Sequence, residues 1–206
     1  SSKNGMSAAW PMSGSPSMGY QFSNPPKMAT VAVTKTHDAT RLHDEVRGTR
    51  LWKGWGKSGI AVKDTPGFLV NRVARPFYGE ALRIVEEGIT NPETVDFAMR
   101  SLFGFPMGPF ELMDLIGLDV NLSVTESVFT GLGYDPRYRP SLLQRRLVEA
   151  GCLGRKTKRG FYQYGADGKR VAGEASANTP LCMMVGNRVL SMLINEAAEA
   201  AYLQLA

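Results

Sequence analysis

Two cysteines and two histidines are all that the 206 residues carry of those types. Cys152 and Cys182 cannot build a disulfide framework, and a reduced, cytoplasmic setting is the simpler expectation. No Cys/His cluster has metal-ligand spacing, so no metal site is expected. His37 and His43 stand outside every motif and read as ordinary surface residues. No apolar run approaches the roughly 18 residues that a membrane span needs. No basic-then-apolar leader opens the chain, so no secretory signal is read. The imbalance between the two signs of charge is small. Lys and Arg total 24 against 19 Asp and Glu, a net +5. The basic residues gather at Arg145, Arg146, Arg155, Lys156, Lys158, Arg159, Lys169 and Arg170. A solvated face is the first reading of them, a site for an anionic ligand the second. Nucleic acid is a distant third, because no RNA- or DNA-reading motif accompanies the charges.

What is present suffices for one ordinary core, or for one domain plus part of another, since 43% of the residues are hydrophobic. Ser, Gly, Pro and Met dominate residues 1–28 with no periodicity, so this stretch reads as linker-like, non-native or disordered. A strand-like run at Thr30–Thr34, a weak helix over Thr40–Trp55 and a β-like run at Gly59–Lys63 follow. Val70, Val73, Phe77, Ala81, Ile84 and Val85 then recur at helical spacing, with Gly88 as the stop and Pro76 predicting a kink. Thr90-Asn91-Pro92-Glu93 is a start signal for a helix to about Phe103. Further helices are predicted from Pro109 to Gly117, Asp119 to Thr130 and Ser141 to Ala150. Gly154 to Tyr164 is a basic loop ending in an aromatic extended run. Thr179-Pro180 opens a last helix that continues to Ala206 with no stop signal.

One internal repeat stands out. Asn71-Arg72-Val73 with Glu80-Ala81 recurs as Asn187-Arg188-Val189 with Glu196-Ala197, 116 positions later. Two amphipathic helices could share these residues by chance; duplication is the preferred reading.

Three ordered blocks carry a resemblance. Asp64-Thr65-Pro66-Gly67-Phe68-Leu69-Val70-Asn71-Arg72, Gly104-Phe105-Pro106-Met107-Gly108-Pro109-Phe110-Glu111-Leu112, and Gly154-Arg155-Lys156-Thr157 with Arg159-Gly160-Phe161-Tyr162 are similar to signatures of the 3-hydroxyacyl-CoA dehydrogenases. The resemblance implies a mainly α fold: the helical C-terminal domain of that family, preceded by a small α/β remnant of a Rossmann domain. It implies three parts. Residues 1–62 would be the end of an NAD-binding domain, 63–165 a first helical module, and 166–206 a linker with the first helix of a second module. It implies oxidation of a 3-hydroxyacyl-CoA to the 3-oxoacyl-CoA in fatty-acid or phenylacetate-type degradation, with NAD as cofactor of the full-length enzyme. An acyl-CoA substrate and a homodimer through the first module are the implied partners.

The departures from the family pattern matter as much. No Gly-x-Gly-x-x-Gly turn occurs in the chain, so no NAD is expected on this piece. The family's His-Phe-Phe-Asn-Pro block is matched by Gln21-Phe22-Ser23-Asn24-Pro25, which puts Gln21 where the catalytic base belongs. The Glu that holds the base falls on Ala32. Loss of a general base alone costs roughly 10²–10⁴ in rate, so this chain is expected to be inactive by itself. Asn71 and Asn24 remain as substrate-positioning residues, with helix capping as the plainer role for Asn71. Glu111 and Asp114, three apart, could pair as acid and base, but capping and solvation are preferred. The 155–159 loop is a weaker candidate for a CoA phosphate. The alternative reading is a non-catalytic helical dimerisation or interaction module.

Overall fold

In the computed structural model the described residues are 62–63, 65–171, 173–176 and 178–205. Asn24, Gln21, Ala32, His37, His43 and the elements predicted before Val62 lie outside them. Among the described residues there are six α-helices: α1 Val70–Glu86, α2 Pro92–Ser101, α3 Pro109–Ile116, α4 Leu118–Gly131, α5 Leu142–Glu149 and α6 Thr179–Tyr202. Among the described residues the only β pairings are isolated bridges, such as Gly154 with Arg159 and Tyr164 with Arg170. The helical fold class expected from the sequence is therefore the one found.

Local chemistry sets the boundaries. Asn91 caps α2 by accepting from the Thr94 amide at 2.9 Å and the Thr94 hydroxyl at 2.7 Å, with Pro92 in the first turn. Ser141 caps α5 and Asn178 caps α6 in the same way. The α1 helix runs uninterrupted through Pro76 and ends where Gly88 takes φ +71°. The last helix departs from expectation: it stops at Tyr202 instead of running to the end. Gln204 adopts φ +51°, and the Leu205 amide closes back on the Ala200 carbonyl at 3.1 Å. The Lys63 amide then donates to the Leu205 carbonyl at 2.9 Å. This tie draws Leu205 into a buried position, which replaces the missing glycine as the stop.

The core gathers Phe77, Ala81 and Ile84 of α1, Val95 and Met99 of α2, Phe110 and Met113 of α3, and Val185 and Val189 of α6. Phe77, Ala81 and Ile84 belong to the stripe that the helical spacing predicts for α1, whereas Val70 of the same stripe is exposed. Helix α6 lies along α1 and α2, and Phe103, just after α2, fits against Gly186 of α6. A Cβ at position 186 would sit 2.0 Å from a Phe103 ring carbon. Gly186→Ala is expected to destabilise the protein by about 1–3 kcal/mol despite alanine's better helix propensity, because a ring in a packed core cannot retreat. A lowered urea midpoint with earlier hydrogen exchange in α6 is the measurement. An unchanged midpoint would show that the ring moves freely.

Candidate functional site at the start of helix α1

The turn before α1 is tightly built. Gly67 has φ +77° and Phe68 φ +48°. A Cβ at Gly67 would meet Val128 Cγ2 at 2.9 Å and the Arg72 amide nitrogen at 3.0 Å, so only glycine fits. The turn presents the first residues of α1 at the surface. Asn71 is exposed, and its side chain makes no hydrogen bond to the described residues. The N-cap position falls on Leu69, with no side-chain cap, so capping does not account for Asn71. The backbone carbonyl of Asn71 accepts from Arg75 Nε at 3.1 Å. Arg75 is itself held by the Asn121 carbonyl, Thr125 Oγ1 and the face of Tyr78. The helix end is thereby fixed while the Asn71 carboxamide stays available.

A groove of about 650 Å³ opens between α1 and α6. Leu69, Val70, Val73 and Ala74 line one wall, and Leu193 and Ala197 line the other. Its walls are almost entirely hydrocarbon, which suits an apolar chain or apolar side chains.

Two buried carboxylates hold the other two motif blocks in place. Asp114 accepts from the Phe161 amide (3.0 Å), the Tyr162 amide (3.0 Å) and the Tyr164 hydroxyl (2.9 Å). Burial pushes its carboxyl above the usual range while these three donors pull it back. Asp96 accepts from the Phe110 amide (2.9 Å), the Glu111 amide (2.9 Å) and the Tyr162 hydroxyl (2.7 Å). Burial lifts Asp96 to about 7, with Glu111 adding to the rise. Glu111 turns away from Asp114 to meet Arg170 at 2.7 Å. These two acids of α3 therefore serve as separate anchors, not as an acid–base pair. In the basic loop, Lys156 is paired with Asp119, and Arg155 lies 5.6 Å over the Tyr164 ring. Among the described residues no cluster of three or more His, Cys, Asp or Glu could hold a metal ion.

Asp96 went unseen in the sequence, because an acid in an amphipathic helix gives no sign of which backbone amides it will reach. The ion pairs that join α1 to α6 were closer to view. Arg72 Nε donates to Glu196 Oε1 at 2.7 Å, and Arg188 Nε donates to Glu80 Oε1 at 2.5 Å. All four residues belong to the internal repeat, which was the available signal.

The family described as 3-hydroxyacyl-CoA dehydrogenase, C-terminal domain, matches residues 67–164. The match covers a little under half of the chain, and over those residues the chain is similar to that family. The chain is 44% identical over 155 residues to 3-hydroxyadipyl-CoA dehydrogenase of Escherichia coli K12, covering 75% of this chain and 33% of that protein. It is 42% identical over 151 residues to a probable 3-hydroxybutyryl-CoA dehydrogenase of Bacillus subtilis, covering 71% of this chain and 51% of that one. The fold matches the crystal structure of 3-hydroxybutyryl-CoA dehydrogenase from Escherichia coli K12 with a TM-score of 0.71 and 29% identity, over 85% of this chain and 54% of that chain. The chain thus spans about half, or less, of the length of these relatives. No helix among the described residues is long and apolar enough to cross a membrane.

Proposed function

We propose that this chain is the substrate-holding and pairing part of an NAD-dependent 3-hydroxyacyl-CoA dehydrogenase, a cytoplasmic enzyme that oxidises 3-hydroxyacyl-CoA thioesters to 3-oxoacyl-CoA. The observation that carries the reading is the exposed Asn71 carboxamide, without a hydrogen-bond partner among the described residues, on a helix end held by Arg75 and inside the block that resembles the family's. The proposed role of Asn71 is to donate a hydrogen bond from Nδ2 to an oxygen of the acyl thioester. The first module is assigned to 63–165, and α6 opens a second. Asn24 is kept as a second positioning residue.

The cofactor fits the full-length enzyme and not the described residues. A dinucleotide cradle needs a glycine-rich turn between a strand and a helix N-terminus, and the described residues contain no such unit. No step is therefore assigned to NAD here, and the chain is proposed to be inactive alone.

Calorimetry with acetoacetyl-CoA tests the reading. Binding without turnover is expected, with Asn71→Ala weakening it by about 5–10-fold, as for loss of one hydrogen bond of about 1–1.4 kcal/mol. NADH oxidation by the chain would overturn the inactivity. Absence of any acyl-CoA binding would favour the alternative of a non-catalytic helical interaction module.

A further inference from the structure

Two arginines of α1 are almost fully buried, and their surroundings differ in charge. Arg72, 5% exposed, is answered by Glu196 at 2.7 Å and Glu199 at 3.6 Å. Arg75, 7% exposed, has no carboxylate partner among the described residues. Its contacts are all neutral: the Asn71 carbonyl at 3.1 Å, the Asn121 carbonyl at 3.3 Å, Thr125 Oγ1 at 3.1 Å and the Tyr78 ring at 4.8 Å. Arginine does not escape burial by losing its proton, so a desolvated guanidinium without a counter-charge is destabilising. Burial holds its proton less tightly than in water, the direction expected of a cation short of an anion.

The unfilled atom can be named. Nε and Nη1 are taken by the three oxygens, and Nη2 makes no hydrogen bond among the described residues. Nη2 is also not sealed from solvent, unlike the unpartnered side-chain atoms Thr65 Oγ1, Asn121 Nδ2 and Tyr138 Oη. Asn121 Nδ2 belongs to the residue whose carbonyl holds Arg75, and the oxygen of the same carboxamide is taken by Gln144 Nε2 at 3.1 Å. The cluster of Arg75, Asn121, Thr125 and Gln144 therefore has more donors than acceptors and carries a positive charge. The group it lacks is an anionic oxygen.

Helical geometry places this vacancy beside Asn71. Side chains of a helix lean toward its N-terminus. Arg75 thus reaches back one turn, and its bond to the Asn71 carbonyl fixes it there. Residues four apart on a helix have Cβ atoms about 5–6 Å apart. An acyl chain whose carbonyl oxygen meets Asn71 needs only a few carbons to bring a terminal group to Arg75. The phosphates of the coenzyme are at the far end of its pantetheine arm, much more than one helical turn from the thioester. Three acceptors and the Tyr78 face hold the guanidinium plane, so its open edge is set before a ligand arrives.

We propose that Arg75 is a specificity-determining residue that binds, through Nη2, a carboxylate at the far end of the acyl chain, so that the favoured thioesters are those of dicarboxylic acids. The proposal rests on reading Asn71 as the contact to the thioester.

Adipoyl-CoA and hexanoyl-CoA test it by calorimetry on the full chain, since they are equal in length and differ in the terminal carboxylate. The unaltered chain should bind adipoyl-CoA about 10–100-fold more tightly, as for one charge-assisted hydrogen bond. Arg75→Gln should bring the ratio of the two affinities close to one. Arg75→Lys, which keeps the charge, should keep part of the preference. Equal affinities in the unaltered chain would overturn the proposal, and so would a ratio that Arg75→Gln leaves as it was. A loss shared equally by both thioesters would overturn it too, because Arg75 would then serve only to hold the Asn71 carbonyl. If the variants do not fold, or if neither thioester binds, the Nε proton of Arg75 is followed by NMR in the unaltered chain. Adipate should shift it saturably, and adipamide, its neutral counterpart, should not. Equal responses, or none, overturn the proposal. A response to adipate where neither thioester binds would support the Arg75 site and count against the Asn71 reading alone.

Discussion

Asp114→Ala is expected to unfold the helical unit or bring it to the edge of unfolding. The carboxylate receives two backbone amides and one tyrosine hydroxyl from the loop that follows the basic turn. Asp114 is 1% exposed, so water cannot replace it without entering the core. Each buried donor left without an acceptor costs about 1–3 kcal/mol. Removal of a desolvated charge offsets part of the loss, leaving about 3–5 kcal/mol against a typical domain stability of about 5–15 kcal/mol. Two glycines show how closely the loop is moulded to this residue. A Cβ at Gly160 would lie 2.1 Å from Asp114 Oδ1, and one at Gly154 would lie 2.3 Å from the Asp114 carbonyl oxygen. Urea denaturation followed by circular dichroism is the measurement. Asp114→Asn, which keeps one acceptor oxygen, should fall between wild type and alanine. A wild-type midpoint for the alanine variant would show that the loop is held by its aromatic packing alone.

The helices themselves were legible because their apolar residues repeat at helical spacing and their ends carry Asn91-Pro92, Ser141 and Thr179-Pro180. The stop of α6 was not legible, because it depends on Lys63, 142 positions before Leu205, and on a glutamine in a left-handed conformation. Asn71 could be named from its block, and its exposure agrees with a role outside capping. Glu111 and Asp114 were visible as a pair but not as separate anchors. Spacing places two acids on one helix face, while their partners, Arg170 and the 161–164 loop, come from distant sequence. The repeat is the instructive case. Five matching positions suggest duplication, and the fold shows two of them, Arg72/Arg188 and Glu80/Glu196, meeting across one helix pair. Sequence shows that two helices are alike. Only the fold shows that likeness has become contact.

The stability of the unit should rise as pH falls from 8 toward 5, and Asp96 sets the size of the effect. Its carboxyl is raised from 3.8 to about 7 by burial, despite three donors. Between those values the folded state holds a proton that the unfolded state has released, so stability decreases with rising pH. The stabilisation is fully present below about 4 and is lost as pH climbs through about 7. Three units correspond to roughly 4 kcal/mol as an upper bound. The fold can accept that proton because the Tyr162 hydroxyl, 2.7 Å from Oδ2, can turn from donor to acceptor while the Phe110 amide keeps Oδ1. Glu87, Asp119, Asp135 and Glu199 work in the opposite sense. Each is lowered first by a hydrogen bond from an Arg or Lys, so each loses stabilising charge as pH falls below its ordinary range. A stability maximum near pH 5–6 is the expected sum, read from urea midpoints across pH 4–8. Asp96→Asn should be less stable at every pH, since its amide confronts the Glu111 N–H, yet its profile should be nearly flat from 6 to 8. A slope in that window as steep as the wild type's would mean that another group carries the proton.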